Sequence, residues 1–426
     1  MDRISGMDHT AGADDPPTLR RVIGLPLLIL YGLGVTIGAG IYVLIGATAA
    51  RAGVYAPTSF LVASFVMMFS ACSFAELSGR IPQSAGEAIY VDAGFGRGWL
   101  TVATGLGIVA SAVVAAATIG LGCAGYLGSV IETVLGGEVA VPRLALVGGI
   151  VVLMGAVALR GIRESVLFAG ALTLLEIVGL LVIIGAGFAR NPGLLSEIPS
   201  VIPSPGNGAA WFGVFGASLI AFFAFIGFDD TVNLVEETRD PARVMPIAIG
   251  TTLVLVTVIY FFVSLVAVRT LGAEELAASE APLGLLFGQL TGLSPLILSI
   301  IAVFATMNGI VIQIIMASRV LYGLGKEGHL PAAFARVHPV RRIPRNATLL
   351  VTALVLVFAF LVPLERLAEM TSQMILAIFV LINLSLWRIK RRGDTAPDGI
   401  FTVPVAIPVF GAVASLLLLA GSVVFG

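Results

Sequence analysis

The chain has 426 residues, 58% of them hydrophobic and only 12% charged, with a mean hydropathy of +1.05. Soluble domains carry about 25% charged residues, so this composition belongs to an integral membrane protein. A formal net charge of −1 leaves no basic face for nucleic acid, and the two cysteines, Cys72 and Cys123, sit in apolar segments where thiols pack rather than build a disulfide framework.

In chain order, residues 1–21 read as a cytoplasmic N-terminal tail. The first apolar run, Val22 to Ala50, exceeds a signal-peptide core and is followed by no small-residue cleavage site, so it is expected to stay as an anchor. Counting that run at 22–50, apolar runs follow at about 55–77, 99–131, 140–158, 164–188, 211–237, 246–271, 293–324, 347–362, 367–388 and 403–425. Each is near the ~20 residues that a bilayer core requires. The expectation is an all-α membrane protein of about eleven transmembrane helices.

Loop charge orients these spans. With the N-terminus cytoplasmic, only Arg51, Arg143, Arg190, Arg269 and Arg366 of the 24 Lys and Arg fall outside, the asymmetry that positive-inside sorting produces.

Two spans carry an unusual interior. GVTIGAGIYVLIG, residues 34–46 of span one, places four glycines at membrane depth, and FFAFIGFDD, residues 222–230 of span six, sets Gly227 before two carboxylates. Small residues let membrane helices approach closely. Glycine also tolerates an unwound turn, which is permissible at depth only where the freed backbone groups are buried or line a cavity. Paired breaks in the first helix of two five-span sets point to a transporter's midplane site. Five is an odd number, so the sets run in opposite directions across the membrane. The expected organisation is therefore an inverted repeat of 22–188 and 211–388, with 403–425 as an additional helix.

Together with these two stretches, FAELSGRIPQSAGEAIYV (74–91), LRGIRES (159–165) and SRVLYGLGKEGHLPAAFARVHP (318–339) give the chain its resemblance to amino acid permeases. It resembles the amino acid, polyamine and organocation transporter superfamily, nearest its bacterial and cationic-transporter-like branch. The resemblance implies a leucine-transporter-type fold with discontinuous helices 1 and 6, and α-amino acids as substrates. Carried over by position, it implies substrate binding by Thr36, Ile37, Gly38, Ala39 and Gly40 and by Phe223, Ala224, Phe225 and Ile226. Free N–H groups at Gly38 to Gly40 suit a carboxylate. The carbonyls of Thr36, Phe223, Ala224 and Ile226 suit an ammonium, with Phe223 as an aromatic lid.

Ionisable groups at membrane depth are functional candidates by default, and here they are Glu176, Asp229 and Asp230. Histidines 9, 329 and 338 lie in the tail or a loop, so any proton would be carried by a carboxylate; burial favours the protonated form that such a carrier needs. Relatives place a lysine where this chain has Glu176, and use an acidic residue like Asp229 in proton or pH sensing, so Glu176 and Asp229 are the coupling candidates. Asn308 and Gln313 in span eight have two uses open to them, contact with a substrate side chain and helix–helix hydrogen bonding. Glu76, Glu236, Glu237, Arg239 and Arg319 read either as a salt-bridged inner gate or as solvated interface charge. GLGCAG, residues 120–125, follows no strand and reads as packing rather than as a dinucleotide loop. No cofactor, metal or enzymatic motif is expected. The function expected is a secondary transporter of neutral L-amino acids in a plasma or bacterial inner membrane, meeting membrane lipid and, if coupled, protons. Uniport, symport and exchange stay open, a channel or receptor is the alternative, and the oligomeric state is undetermined.

Overall fold

A computed structural model describes residues 21–83, 86–136, 141–160, 166–326, 328–338, 341 and 343–425, the side chains of Ala39, Gly86, 166–169 and 423–425 excepted. The expected tail, apart from residue 21, lies outside the described residues, as do the start of span five and 161–165 of LRGIRES. The described chain forms α1 (Leu25–Ala52), α2 (Ala56–Arg80), α3 (Gly86–Phe95), α4 (Gly98–Val134), α5 (Arg143–Arg160), α6 (Val166–Arg190) and α7 (Gly208–Phe223). It continues with α8 (Pro241–Thr270), α9 (Gly272–Ala278), α10 (Pro282–Thr291), α11 (Leu296–Lys326), α12 (Arg345–Leu361), α13 (Leu364–Arg391) and α14 (Ala406–Phe425). The expected spans fall on all of these except α3, α9 and α10, which lie in connections. By length and composition, seven helical stretches among the described residues can cross a membrane.

The sequence marks several helix starts. A proline occupies the first turn of α1, α2 and α8, where its missing N–H removes no intrahelical bond. The Asn207 side chain accepts from Ala210 N at 3.1 Å to cap α7. Inside the bundle α1 packs against α6, α7 and α8, while α4 packs along α11 and α13.

The two glycine-marked spans differ. Span six breaks as expected: α7 stops at Phe223, residues 224–228 form turns, and a 3-10 helix follows over Asp229–Glu237. Span one does not break, because α1 runs through residues 34–46 as one helix. Its glycines serve contact instead: a Cβ built on Gly40 would stand 2.3 Å from Ala224 Cα. The one discontinuous helix of the pair lies directly against the continuous one. Just before α1, Ile23 N donates to Glu237 O at 3.0 Å and Ile23 O accepts from Arg239 N at 2.8 Å, tying the start of α1 to the far end of the break.

Charge is tied down at both ends of the bundle. Arg51 pairs with Glu369, which Arg366 also reaches at 3.1 Å; Arg143 meets Glu280 at 3.1 Å, Arg269 meets Glu197 at 3.1 Å, and Arg190 donates to Gln289 O. Toward the end of α2, buried Glu76 accepts from Arg80 Nε and Lys390 Nζ at 2.8 Å each and from Val403 N at 2.7 Å. Both oxygens of this carboxylate are used, which makes its burial tolerable. Glu76 thus pairs with α13 and the approach to α14, rather than with Arg239 or Arg319. GLGCAG lies within α4, and a Cβ on Gly122 would meet Val43 at 2.3 Å, the packing role expected of it.

Candidate functional site

The break is built from short-range bonds. Ala224 N, Phe225 N and Ile226 N donate three residues back, to Ala221 O, Phe222 O and Phe223 O, at 3.0, 3.0 and 3.1 Å, the tightening that ends many helices. Gly227 then takes φ +127°, a region closed to residues with a Cβ. Asp229 Oδ1 accepts from Gly227 N at 2.8 Å, so this carboxylate closes the turn that precedes it. The break is anchored by Phe228, whose ring meets Phe74 of α2 at 5.6 Å and Phe379 of α13 at 5.8 Å.

Against this break lies α1, and Tyr260 of α8 joins them. Its hydroxyl is shared between Thr36 O at 2.9 Å and Ala224 O at 3.0 Å, two of the carbonyls the sequence suggests for an ammonium. Tyr42 of α1 donates to Glu176 O at 3.2 Å, and Tyr126 of α4 donates to Tyr42 O at 2.9 Å.

Thr36, Gly38, Gly40, Phe223 and Ile226 line one cavity, opposite Ala115 of α4 and residues 305–313 of α11. The cavity encloses about 40 Å³, room for a few waters at ~10–15 Å³ each, so its walls are drawn together. The other candidates lie elsewhere. Ile37, Ala224 and Phe225 are fully buried; Phe225 packs its ring on Phe60 and Tyr260, with centroids 6.5 and 5.2 Å apart. The side chain of Ala39 is outside the described set. Because α1 is continuous, the amides of Gly38 to Gly40 belong to its helical ladder and are not free N–H groups, a correction to the sequence reading.

Glu176 is 2% exposed, and its Oε2 has no hydrogen-bond partner among the described residues. That oxygen lies 3.9 Å from where a Gly38 Cβ would stand, so the carboxyl faces α1. Thr36 Oγ1 is likewise buried without a partner.

Asp229 and Asp230 line a second, adjoining cavity together with Glu87 of α3. The two cavities share Ala115, Ile226 and Gln313. Sequence reasoning missed Glu87 although it stands in the quoted 74–91 motif, because α3 is too short to register as a span. It also missed Tyr260, one aromatic in an apolar helix, whose hydroxyl has no signature in the pattern.

Comparison with known proteins identifies the family and the fold. The family model described as amino acid permease matches residues 23–425. The branched-chain amino acid permease BcaP of Bacillus subtilis is 28% identical over 97% of this chain and 90% of its own. The vacuolar cationic amino acid transporter 4 of Arabidopsis thaliana is 28% identical over 92% of this chain, which spans 66% of that longer protein. Among solved structures, MhsT in complex with L-phenylalanine superposes with a TM-score of 0.65 at 12% identity, covering 95% of this chain and 99% of that one. At that identity the likeness speaks for the fold, which is the leucine-transporter type. With a family match along nearly its whole length and apolar helices arranged in that fold, the chain belongs to the amino acid permease family of multi-pass membrane transporters.

Proposed function

We propose that this protein is a secondary transporter moving neutral L-amino acids by alternating access, with the substrate's α-groups held between α1 and the break after α7. The observation that carries the reading is that Thr36, Gly38, Gly40, Phe223 and Ile226, chosen from two distant stretches of sequence, border a single cavity. The relatives' names, for branched-chain and for cationic amino acids, support the substrate class.

In this reading Tyr260 holds the carbonyls of Thr36 and Ala224 when no substrate is bound and yields them to the incoming ammonium. The membrane is a plasma or bacterial inner membrane; that the N-terminus lies inside is supported by the small outward share, five of the 24 Lys and Arg. The halves 22–188 and 211–388 act as the two moving repeats.

Proton coupling rests on Glu176 or Asp229. Glu176 carries a buried oxygen without a partner beside α1, and a group shifts a conformational equilibrium only by interacting differently with the two states. Uptake into proteoliposomes, with and without a pH gradient or internal substrate, separates symport from exchange and uniport. Glu176→Gln, which mimics the neutral carboxyl, is expected to flatten the pH dependence of uptake while exchange survives. If Glu176→Gln keeps the wild-type pH profile and Asp229→Asn loses it, the proton role passes to Asp229; a profile unchanged in both removes proton coupling. Failure of every amino acid to be taken up or exchanged would overturn the transport reading itself.

A further inference from the structure

The cavity has two chemically different walls. The side formed by α1 and the break is lined by glycines, Thr36 and the apolar Val35, Phe223 and Ile226, whereas the α11 side presents two carboxamides, Asn308 and Gln313. Both are half-buried. Neither has a hydrogen-bond partner among the described residues, although helix–helix hydrogen bonding is what such residues at membrane depth commonly supply. On a helix with 3.6 residues per turn, positions 305, 308, 309, 312 and 313 fall on one face about 140° wide, and all five border the cavity. Gln313 lies about 7.5 Å further along the axis than Asn308, on the side where the cavity meets the chamber of Asp229 and Asp230.

We infer that Asn308 and Gln313 form the subsite for the substrate's side chain, and that they select amino acids whose side chain ends in an amide or a hydroxyl. This rests on the amino acid reading of the cavity and narrows it from neutral to polar neutral. A carboxamide donates and accepts at once, so it pairs with another amide or a hydroxyl without a proton being moved. A purely apolar side chain closing over these groups takes them from water and returns no partner, the situation in which a hydrogen-bonding site rejects an isostere most strongly. A cationic end group is less well served on this wall, since the carboxylates border the neighbouring chamber and not the cavity itself.

The test uses near-isosteric pairs in the full-length protein. Glutamine against methionine, and threonine against valine, are compared as competitors of labelled amino acid uptake in proteoliposomes. The wild type is expected to favour the polar member of each pair by about tenfold, the worth of one net hydrogen bond, a readout that needs no variant. In Gln313→Met, which keeps the volume, the glutamine-to-methionine ratio is expected to fall toward one; in Asn308→Leu the threonine-to-valine ratio follows. Equal competition within each wild-type pair overturns the subsite and leaves the transport reading standing, as does a wild-type preference that both variants retain. Absence of competition by all four amino acids overturns both.

Discussion

The two glycine-marked stretches look alike in sequence and behave oppositely in the fold. Residues 34–46 stay helical inside α1, while residues 222–230 interrupt their span. The difference lies in what stands behind each glycine. Gly40 keeps a helical backbone and gives up a side chain so that Ala224 can approach, whereas Gly227 takes φ +127° and rests on the Val35 carbonyl, where a Cβ would come within 2.9 Å of the oxygen. One glycine is there for contact, the other for conformation, and the two contacts are adjacent: the break in one span is seated on the unbroken helix of the other. A glycine count at membrane depth cannot tell these uses apart. A carboxylate two residues on can, because Asp229 supplies the acceptor for the amide that the break releases.

Substitutions separate the two uses, beginning with the largest effect. Gly227→Ala meets a forbidden φ and a backbone clash together, and is expected to cost about 3 kcal/mol or more; thermal unfolding of the purified protein in detergent should show it as the least stable of the series. Gly40→Ala meets only the clash with Ala224 and is expected to cost about 1–3 kcal/mol, the range of overpacking. The same measurement reads it, and the order of the two variants is the point of comparison. Should Gly40→Ala prove the more damaging, contact and not backbone conformation would hold the pair together. Tyr260→Phe leaves packing intact and removes the hydroxyl shared by Thr36 O and Ala224 O; stability should fall by about 1 kcal/mol, while substrate affinity should rise if those carbonyls receive the ammonium once the hydroxyl no longer occupies them.

Much of this was legible in the sequence because membrane-spanning helices announce themselves by length and apolarity: each expected span overlaps a helix among the described residues. The break after Phe223 was legible too, since Asp229 and Asp230 stand two and three residues after Gly227. Continuity of α1 was not, because the partner that makes Gly40 a contact residue is Ala224, nearly two hundred positions away. Glu176 was visible as a lone carboxylate in an apolar run, yet its facing toward Gly38 depends on how α6 packs on α1. Glu87 and Tyr260 escaped for the same reason: their roles come from the neighbours that the fold brings to them, and neither the period of a helix nor its composition encodes a neighbour.

Gly38 offers the most direct test of the central claim, that the space between α1 and the break holds the substrate. A Cβ there meets nothing nearer than Glu176 Oε2 at 3.9 Å, so the first carbon of a side chain is accommodated in the folded protein, and Gly38 borders the cavity. Thermal stability and amino acid uptake measured on the same purified Gly38→Val variant should give a midpoint close to wild type and uptake abolished. A stable Gly38→Val that transports at the wild-type rate would contradict the account and remove the substrate from this cavity.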